Sequence, residues 1–304
     1  MARKRWNIAS TDKQKALHLA EICGIDPFIA IILMARGCST PDSIKNFFAG
    51  SECVTSPFEL KDMESAVSRI QRAIDEFERI TIYGDYDADG ITSTALLYSY
   101  LTSVGADVSY YIPEREEGYG LSKEAIDKIK AQGASLIITV DNGIVAVDEI
   151  DYAKSIGIET VVTDHHLPGD VLPSAAATVD PHRIDCSSHF KGLAGVGVAY
   201  KLVCALEGCG CDDLLDEYAD LVAIGTIADV MPLHDENRVF VKAGINLIQN
   251  APRIGVAALL SAAGIKAADI DSENISYYIA PRINAASRMG KASRAVSLLL
   301  SETE

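Results

Sequence analysis

The sequence predicts an α/β fold: a mostly parallel sheet flanked by helices, with helical segments at both ends. Three observations carry that expectation. Short β-branched runs recur along the middle of the chain, amphipathic segments of helix length lie between them, and several of those segments stop at a glycine set where a C-terminal cap belongs. Strand, helix, strand in that order makes βαβ units, whose strands run parallel beneath covering helices.

The first 78 residues read as helices. Apolar positions recur at three and four in LHLAEICGI and in MESAVSRIQRAIDEF, with Pro27 and Pro57 as breaks. The strands expected next are ITIY (80–83), VSYYI (108–112), LIITV (136–140), TVVT (160–163) and ATV (177–179). Gly105, Gly133 and Gly157 close the helices between them. From about residue 193 the pattern is helical again, rich in Ala, Leu, Ile and Val. Three parts are therefore expected: an N-terminal helical segment (1–78), an α/β domain (79–235) and a helical segment (236–304) carrying the basic stretch PRINAASRMG.

Of the 304 residues, 48% are hydrophobic and 23% charged, which excludes a disordered tail and a disulfide-dense miniprotein. Forty-three Asp and Glu against 27 Lys and Arg leave a net charge of −16, which by itself argues against a broad phosphate-binding surface. The seven cysteines are odd in number and form no C-x-x-C pair; Cys209-Gly-Cys211 is too tight for a zinc ribbon, so reduced intracellular thiols are expected. The basic N-terminus MARKRW is followed by no apolar stretch of signal-peptide length, and the apolar run Ile29 to Ala35 is far short of a bilayer span. A cytoplasmic protein without membrane attachment is the expectation.

Chemistry is concentrated where the strands end. Asp85, Asp87 and Asp89 alternate in GDYDADG after the first strand, and three carboxylates so close repel one another unless a cation sits between them. Helix-dipole stabilisation accounts for one or two of them. A calcium loop of the EF-hand type requires a glutamate at its twelfth position, where Leu96 stands, and a helix in front rather than a strand. The second cluster is Asp141-Asn142-Gly143, which alone would be an ordinary turn. The third, Asp164-His165-His166, ends another strand one βα unit later and pairs imidazole with carboxylate, ligand chemistry for Mn²⁺, Zn²⁺ or Fe²⁺. In an open parallel sheet the carboxyl ends of the strands share one rim, so Asp87, Asp89, Asp141 and His165 can meet in one crevice. Asp229, where Pro232 ends an apolar helical run, is disfavoured by the helix dipole and makes sense beside a cation.

That many carboxylates with one or two imidazoles suit two divalent ions roughly 3.5 to 4 Å apart, the arrangement used to hydrolyse phosphate esters. Mg²⁺ prefers oxygen ligands, and imidazole tilts the choice towards Mn²⁺. Residues 281–294 hold Arg282, Arg288, Lys291 and Arg294 with no acidic residue, either a solvated helix end or the cations for the substrate's phosphate oxygens; Arg115 is a further candidate. Six acids (Glu207, Asp212, Asp213, Asp216, Glu217 and Asp220) lie within residues 207–220 with no basic neighbour, as on a solvated helix face. The net charge thus describes the whole chain rather than the potential of the crevice.

With DYDADG at 85–90, VDNG at 140–143 and Asp-His-His at 164–166, the chain resembles the DHH phosphoesterase superfamily. YGLS (119–122), LAGVGVAYKL (193–202), AIGTIADVMPL (223–233) and PRINAASRMG (281–290) extend the resemblance, over nearly the whole chain, to its single-stranded-DNA-specific exonucleases. The resemblance implies Asp87, Asp89, Asp141, His165 and Asp229 as metal ligands, with Asp141 bridging. It implies His166 as the group addressing the scissile phosphate, Asp85 and Asp164 as supporting or orienting carboxylates, and Arg282, Asn284 and Arg288 near the substrate phosphates. It further implies Mn²⁺- or Mg²⁺-dependent 5′-to-3′ exonuclease action in DNA recombination and repair, with single-stranded DNA as substrate and a single-strand-binding protein and a helicase as partners. Tyr83 stands where pyrophosphatase relatives carry a histidine, which argues against that activity. The family continues into a second domain beyond the point where this chain stops, so the expectation is either a catalytic-core fragment, which the abrupt end after a helical LLL favours, or a naturally short relative. The alternative activity is a phosphodiesterase on short oligonucleotides or small nucleotides; a catalytically dead scaffold would have lost ligand carboxylates, and none is missing here.

Overall fold

The structure, a computed structural model, describes residues 10–48, 50 and 53–303; the basic stretch at the N-terminus lies outside them. The chain divides into two compact units, Met1–Cys53 and Val54–Glu304.

In the first unit, helix α1 (Lys13–Cys23) starts where the Asp12 carboxylate accepts the N–H groups of Gln14 and Lys15. Helix α2 (Pro27–Ala35) is capped in the same way by Asp26, with proline in the first position, where its missing N–H costs nothing. In helix α3 (Pro41–Phe48), Thr40 and Ser43 exchange side-chain-to-main-chain hydrogen bonds around the first turn. Two small clusters, Ala16, Ala20 and Ala30, and Leu19, Leu33 and Ile44, hold the three helices together.

The second unit opens with α4 (Met63–Asp75) and continues as strand β1 (Ile80–Gly84), helix α5 (Ala88–Ser103), β2 (Val108–Tyr111), α6 (Lys123–Ala131), β3 (Leu136–Val140), α7 (Val147–Ser155), β4 (Glu159–Thr163) and β5 (Ala177–Val179). The strands form one parallel sheet in the order β2-β1-β3-β4-β5. All five sequence-predicted strands are therefore present. Alternation sends Ile80, Ile82, Ile138 and Val161 to the face covered by α4 and α5, and Tyr83, Ile137 and Val162 to the face covered by α6 and α7. Both faces of β1 and β3 are buried, which is why these strands read as continuous apolar runs.

The rest is helical: α8 (Gly195–Glu207), α9 (Leu215–Ala228), α10 (Asp235–Asn250), α11 (Ile254–Ala263), α12 (Ser272–Asn274), one π turn (Ile275–Ile279), α13 (Ala280–Arg288) and α14 (Ala292–Leu299). The π turn precedes Pro281, which has no N–H to give the carbonyl four residues back and whose ring crowds it, so the ladder opens there. Met63, Ala66, Ile70 and Ala73 of α4 share one core with β1, as do Phe240 and Ile248 of α10 and Val296 and Leu299 of α14. The compact units divide at Cys53/Val54, with the apolar faces of α4 and α10 buried in the core of the second.

One surface expectation fails. Asp220 is buried, and its carboxylate takes the Arg253 Nε at 3.0 Å. Helix α9 is buried from Tyr218 onwards, so its polar side chains need partners inside the fold. Glu207, Asp212, Asp213, Asp216 and Glu217 are exposed as expected. Among the described residues the cysteines form no disulfide. Among the described residues, no single helix is long and apolar enough to cross a membrane.

Candidate metal centre

The sheet order reverses between β1 and β3, and the turns that leave the carboxyl ends of the strands gather at that switch point. Asp85 follows β1 directly. It is buried, its Oδ1 has no hydrogen-bond partner, and burial followed by the nearby Asp87 charge pushes its pKa up to about 7. Asp87 caps α5, its Oδ1 accepting the N–H groups of Asp89 and Gly90 at 2.9 and 3.0 Å. Gly90 is obligatory in this turn, since a Cβ would lie 2.5 Å from the Asp85 carbonyl oxygen.

Asp89, in the first turn of α5, is 1% exposed, and its two carboxylate oxygens accept the first main-chain N–H groups of α8, from Gly195 (2.7 Å) and Val196 (2.9 Å). A helix N-terminus thus holds this carboxylate in place. Burial, then the charges of Asp87 and Asp229, push its pKa well above the ordinary value. Asp141, at the end of β3, is 2% exposed and adopts φ +61°, a left-handed turn completed by Asn142, whose amide donates to the Val140 carbonyl at 2.9 Å. Burial and then Asp89 push the Asp141 carboxyl far up as well, and its Oδ1 has no hydrogen-bond partner.

Asp164 orients the turn after β4. Its Oδ1 accepts the N–H groups of His165 and His166 and lies 2.7 Å from His166 Nδ1, while Oδ2 accepts the Ile144 N–H. Burial would raise its pKa, but the His166 hydrogen bond and charge together with these amides hold it low. The same hydrogen bond pushes His166 up to about 9. His165 goes the other way: burial, then the neighbouring His166 charge, push it down to about 4, so the ring is neutral, and the Leu193 main chain holds it in place. Its Nε2 lies 3.0 Å from Asp141 Oδ1 and 3.7 Å from Asp89 Oδ2 and Asp229 Oδ2, and it makes no hydrogen bond.

Asp229 closes α9 as its C-cap, where the dipole disfavours an anion, and burial followed by Asp87 pushes its pKa up to about 6. Three groups of side chains each offer ligand atoms within 4.8 Å of one another: Asp85, Asp87 and Asp141; Asp89, His165 and Asp229; and Asp141, His165 and His166. Asp141 and His165 join the groups. Buried, partnerless oxygens on Asp85 and Asp141 and the bare imidazole nitrogen of His165 make a donor set that a divalent cation fits. Two groups linked by one carboxylate suit two ions.

Arg115 stacks on the Tyr86 ring at 4.3 Å, beside the Asp85–Asp87 turn, and donates from Nε to Ser287 Oγ of α13. Arg282 donates to the Tyr278 carbonyl, Arg288 is exposed at the end of α13, and the buried Asn284 Oδ1 has no partner.

Some of the site was not foreseen in the sequence. The α8 amides on Asp89 are one such feature, and their signal was the glycine pair in LAGVGV: a Cβ on Gly195 would sit 2.6 Å from the Asp141 Cβ. Tyr119 is another; its hydroxyl lies 3.4 Å from His166 Nε2. Asp180, just past β5, is fully buried with one oxygen unpartnered, and burial pushes it up to about 7.

Residues 79–226 match the family model described as the DHH family, N-terminal domain. The single-stranded-DNA-specific exonuclease RecJ of Bacillus subtilis is 44% identical over 99% of this chain and 38% of its own length. The protein of the same name from Escherichia coli is 43% identical over 91% of this chain and 50% of its own. A crystal structure of RecJ in complex with Mn²⁺ from Thermus thermophilus superposes with a TM-score of 0.79 at 33% identity, covering 97% of this chain and 42% of that one. The chain spans half or less of the length of these curated relatives.

Proposed function

This chain belongs to the DHH family, and on that premise we propose that it is the nuclease core of a metal-dependent 5′-to-3′ exonuclease acting on single-stranded DNA in recombination and repair. The observation that carries the reading is the meeting of Asp85, Asp87, Asp89, Asp141, His165 and Asp229 around unpaired buried ligand atoms. Asp87, Asp89, Asp141, His165 and Asp229 would hold two Mn²⁺ or Mg²⁺ ions, with Asp85 offering an oxygen to the same set. Such ions, when bound, lower the pKa of water and draw charge from phosphoryl oxygens.

The side chains around them divide the remaining work. Asp164 keeps His166 protonated and aimed outward, so the imidazolium can meet the negative charge of the scissile phosphate. Arg115, held against Tyr86 and Ser287, presents a guanidinium beside the same turn, and Arg282, Asn284 and Arg288 bring α13 to the strand's other phosphates. The α8 amides on Asp89 and the tight packing at Gly195 keep the carboxylates from drifting apart by repulsion. Residues 79–235 carry the chemistry, residues 1–78 and 236–304 flank it, and the protein works in the cytoplasm beside a single-strand-binding protein and a helicase.

A cleavage assay with Mn²⁺ tests the reading, comparing a long 5′-labelled single-stranded oligonucleotide with a dinucleotide. Release of mononucleotides from the long strand supports it. Turnover of the dinucleotide alone would overturn it in favour of a small-nucleotide phosphodiesterase.

A further inference from the structure

Helices α5, α6, α7, α8 and α11 all close on the same pair of hydrogen bonds, with a glycine in the left-handed region: Gly105, Gly133, Gly157, Gly208 and Gly264 have φ between +69° and +89°. Helix α9 closes on that pair too, Val230 N–H donating to the Ile227 carbonyl and Met231 N–H to that of Thr226, but the residue that turns is Val230 at φ +58°. Phe77 does the same after α4, ahead of β1 at the amino end of the sheet. A β-branched side chain is the least suited to this conformation, because its γ carbons meet the main chain. Packing returns nothing for the strain, since Val230 is 83% exposed.

Its position is what sets it apart. Val230 follows Asp229, whose Oδ2 lies 3.7 Å from His165 Nε2, so its Cα is one residue from a proposed metal ligand. The neighbouring turns of the rim also carry exposed aliphatic side chains: Val145, four residues past Asp141, and Leu167, directly after His166. An intensely acidic centre is thus bordered by apolar surface that the fold itself does not use, and strain retained beside a reacting centre points to function.

Resting on the nuclease reading above, we propose that Val230 is a specificity-determining residue. Its isopropyl group packs against the sugar of the nucleotide whose phosphate meets Asp229 and His165, and it selects 2′-deoxyribose over ribose. A ribose 2′-hydroxyl would lose water against the valine without gaining a hydrogen-bond partner. An apolar wall of this kind separates a substrate from its hydroxylated analogue by about one to two orders of magnitude.

The test measures kcat/KM with Mn²⁺ on an all-deoxy single strand and on the same strand with one 5′-terminal ribonucleotide. Val230→Thr keeps the shape and the branching and adds a hydroxyl; Val230→Gly removes both wall and strain. The wild-type protein should prefer the deoxy strand about tenfold or more. Both variants should bring the ratio towards one at unchanged Mn²⁺ affinity, and Val230→Gly should also melt at a higher temperature. An unchanged ratio in both variants overturns the proposal. So does a loss of Mn²⁺ affinity at an unchanged ratio, which would make Val230 a support for Asp229. If the wild-type protein cleaves neither strand with Mn²⁺ bound, the nuclease reading itself fails and takes this proposal with it.

Discussion

Asp164 Oδ1 sits 2.7 Å from His166 Nδ1 and also accepts the main-chain N–H groups of both histidines, so one buried carboxylate sets the charge and the aim of the imidazole beside it. Such an outer carboxylate on a site histidine typically carries 10- to 100-fold in activity or affinity.

Asp164→Asn tests that relationship. In metal-free protein followed by NMR, His166 should titrate near 9 in the wild type and close to the free-imidazole value in the variant. Its raised pKa adds stability that is fully present below the unfolded histidine value and is lost as pH rises through about 9. The Asn variant should lack that loss and cleave roughly 10- to 100-fold more slowly. An unshifted titration would separate the two residues.

Asp141→Ala should abolish Mn²⁺-dependent cleavage and leave the protein folded. The residue is buried among like charges, its carboxyl pushed far up by burial and Asp89, so the metal-free fold loses little without it. Calorimetric melting should show Mn²⁺ raising the wild-type transition, by about 2.7 kcal/mol of stability at a hundredfold excess over Kd. A chelator should reverse the rise, and the variant should show less of it. Wild-type cleavage rates in the variant would place the centre elsewhere.

Gly195→Ala should damage the centre from behind. The new Cβ would lie 2.6 Å from the Asp141 Cβ and 2.7 Å from its Oδ1, forcing either the carboxylate or the start of α8 to move. Overpacking of this kind costs about 1 to 3 kcal/mol. Weaker Mn²⁺ binding by titration calorimetry is the expected result, and native affinity would show that α8 can shift freely.

Asp180→Asn concerns stability alone. A carboxyl raised by burial to about 7 stabilises the fold in acid and withdraws that contribution as pH rises from the ordinary carboxylate range through about 7. With metal chelated, the variant should melt above the wild type at pH near 8 and lose the difference near 4. Equal melting curves across that range would mean that Asp180 is ionised at no cost.

The strands and the acidic turns were legible because both are local. Five β-branched runs and three clusters of aspartate and histidine are written in consecutive residues, and a parallel sheet brings the ends of its strands to one rim whatever else the chain does. Asp229 was readable for a related reason, since an anion at a helix C-terminus is a local misfit.

What the sequence could not carry were relationships between distant segments. Asp220 looks like its exposed acidic neighbours, and only the packing of α9 places it opposite Arg253. The amides on Asp89 come from a segment 106 positions away. The boundary at Cys53/Val54 likewise depends on which surface the apolar face of α4 finds. Sequence alone determined the sheet and the aspartate and histidine turns at its rim, because alternation and turn chemistry act over a few residues. Tertiary structure decided which carboxylates lie within reach of one another, which histidine is charged and which valine takes a left-handed turn beside Asp229, because burial and electrostatics depend on what the rest of the chain places nearby.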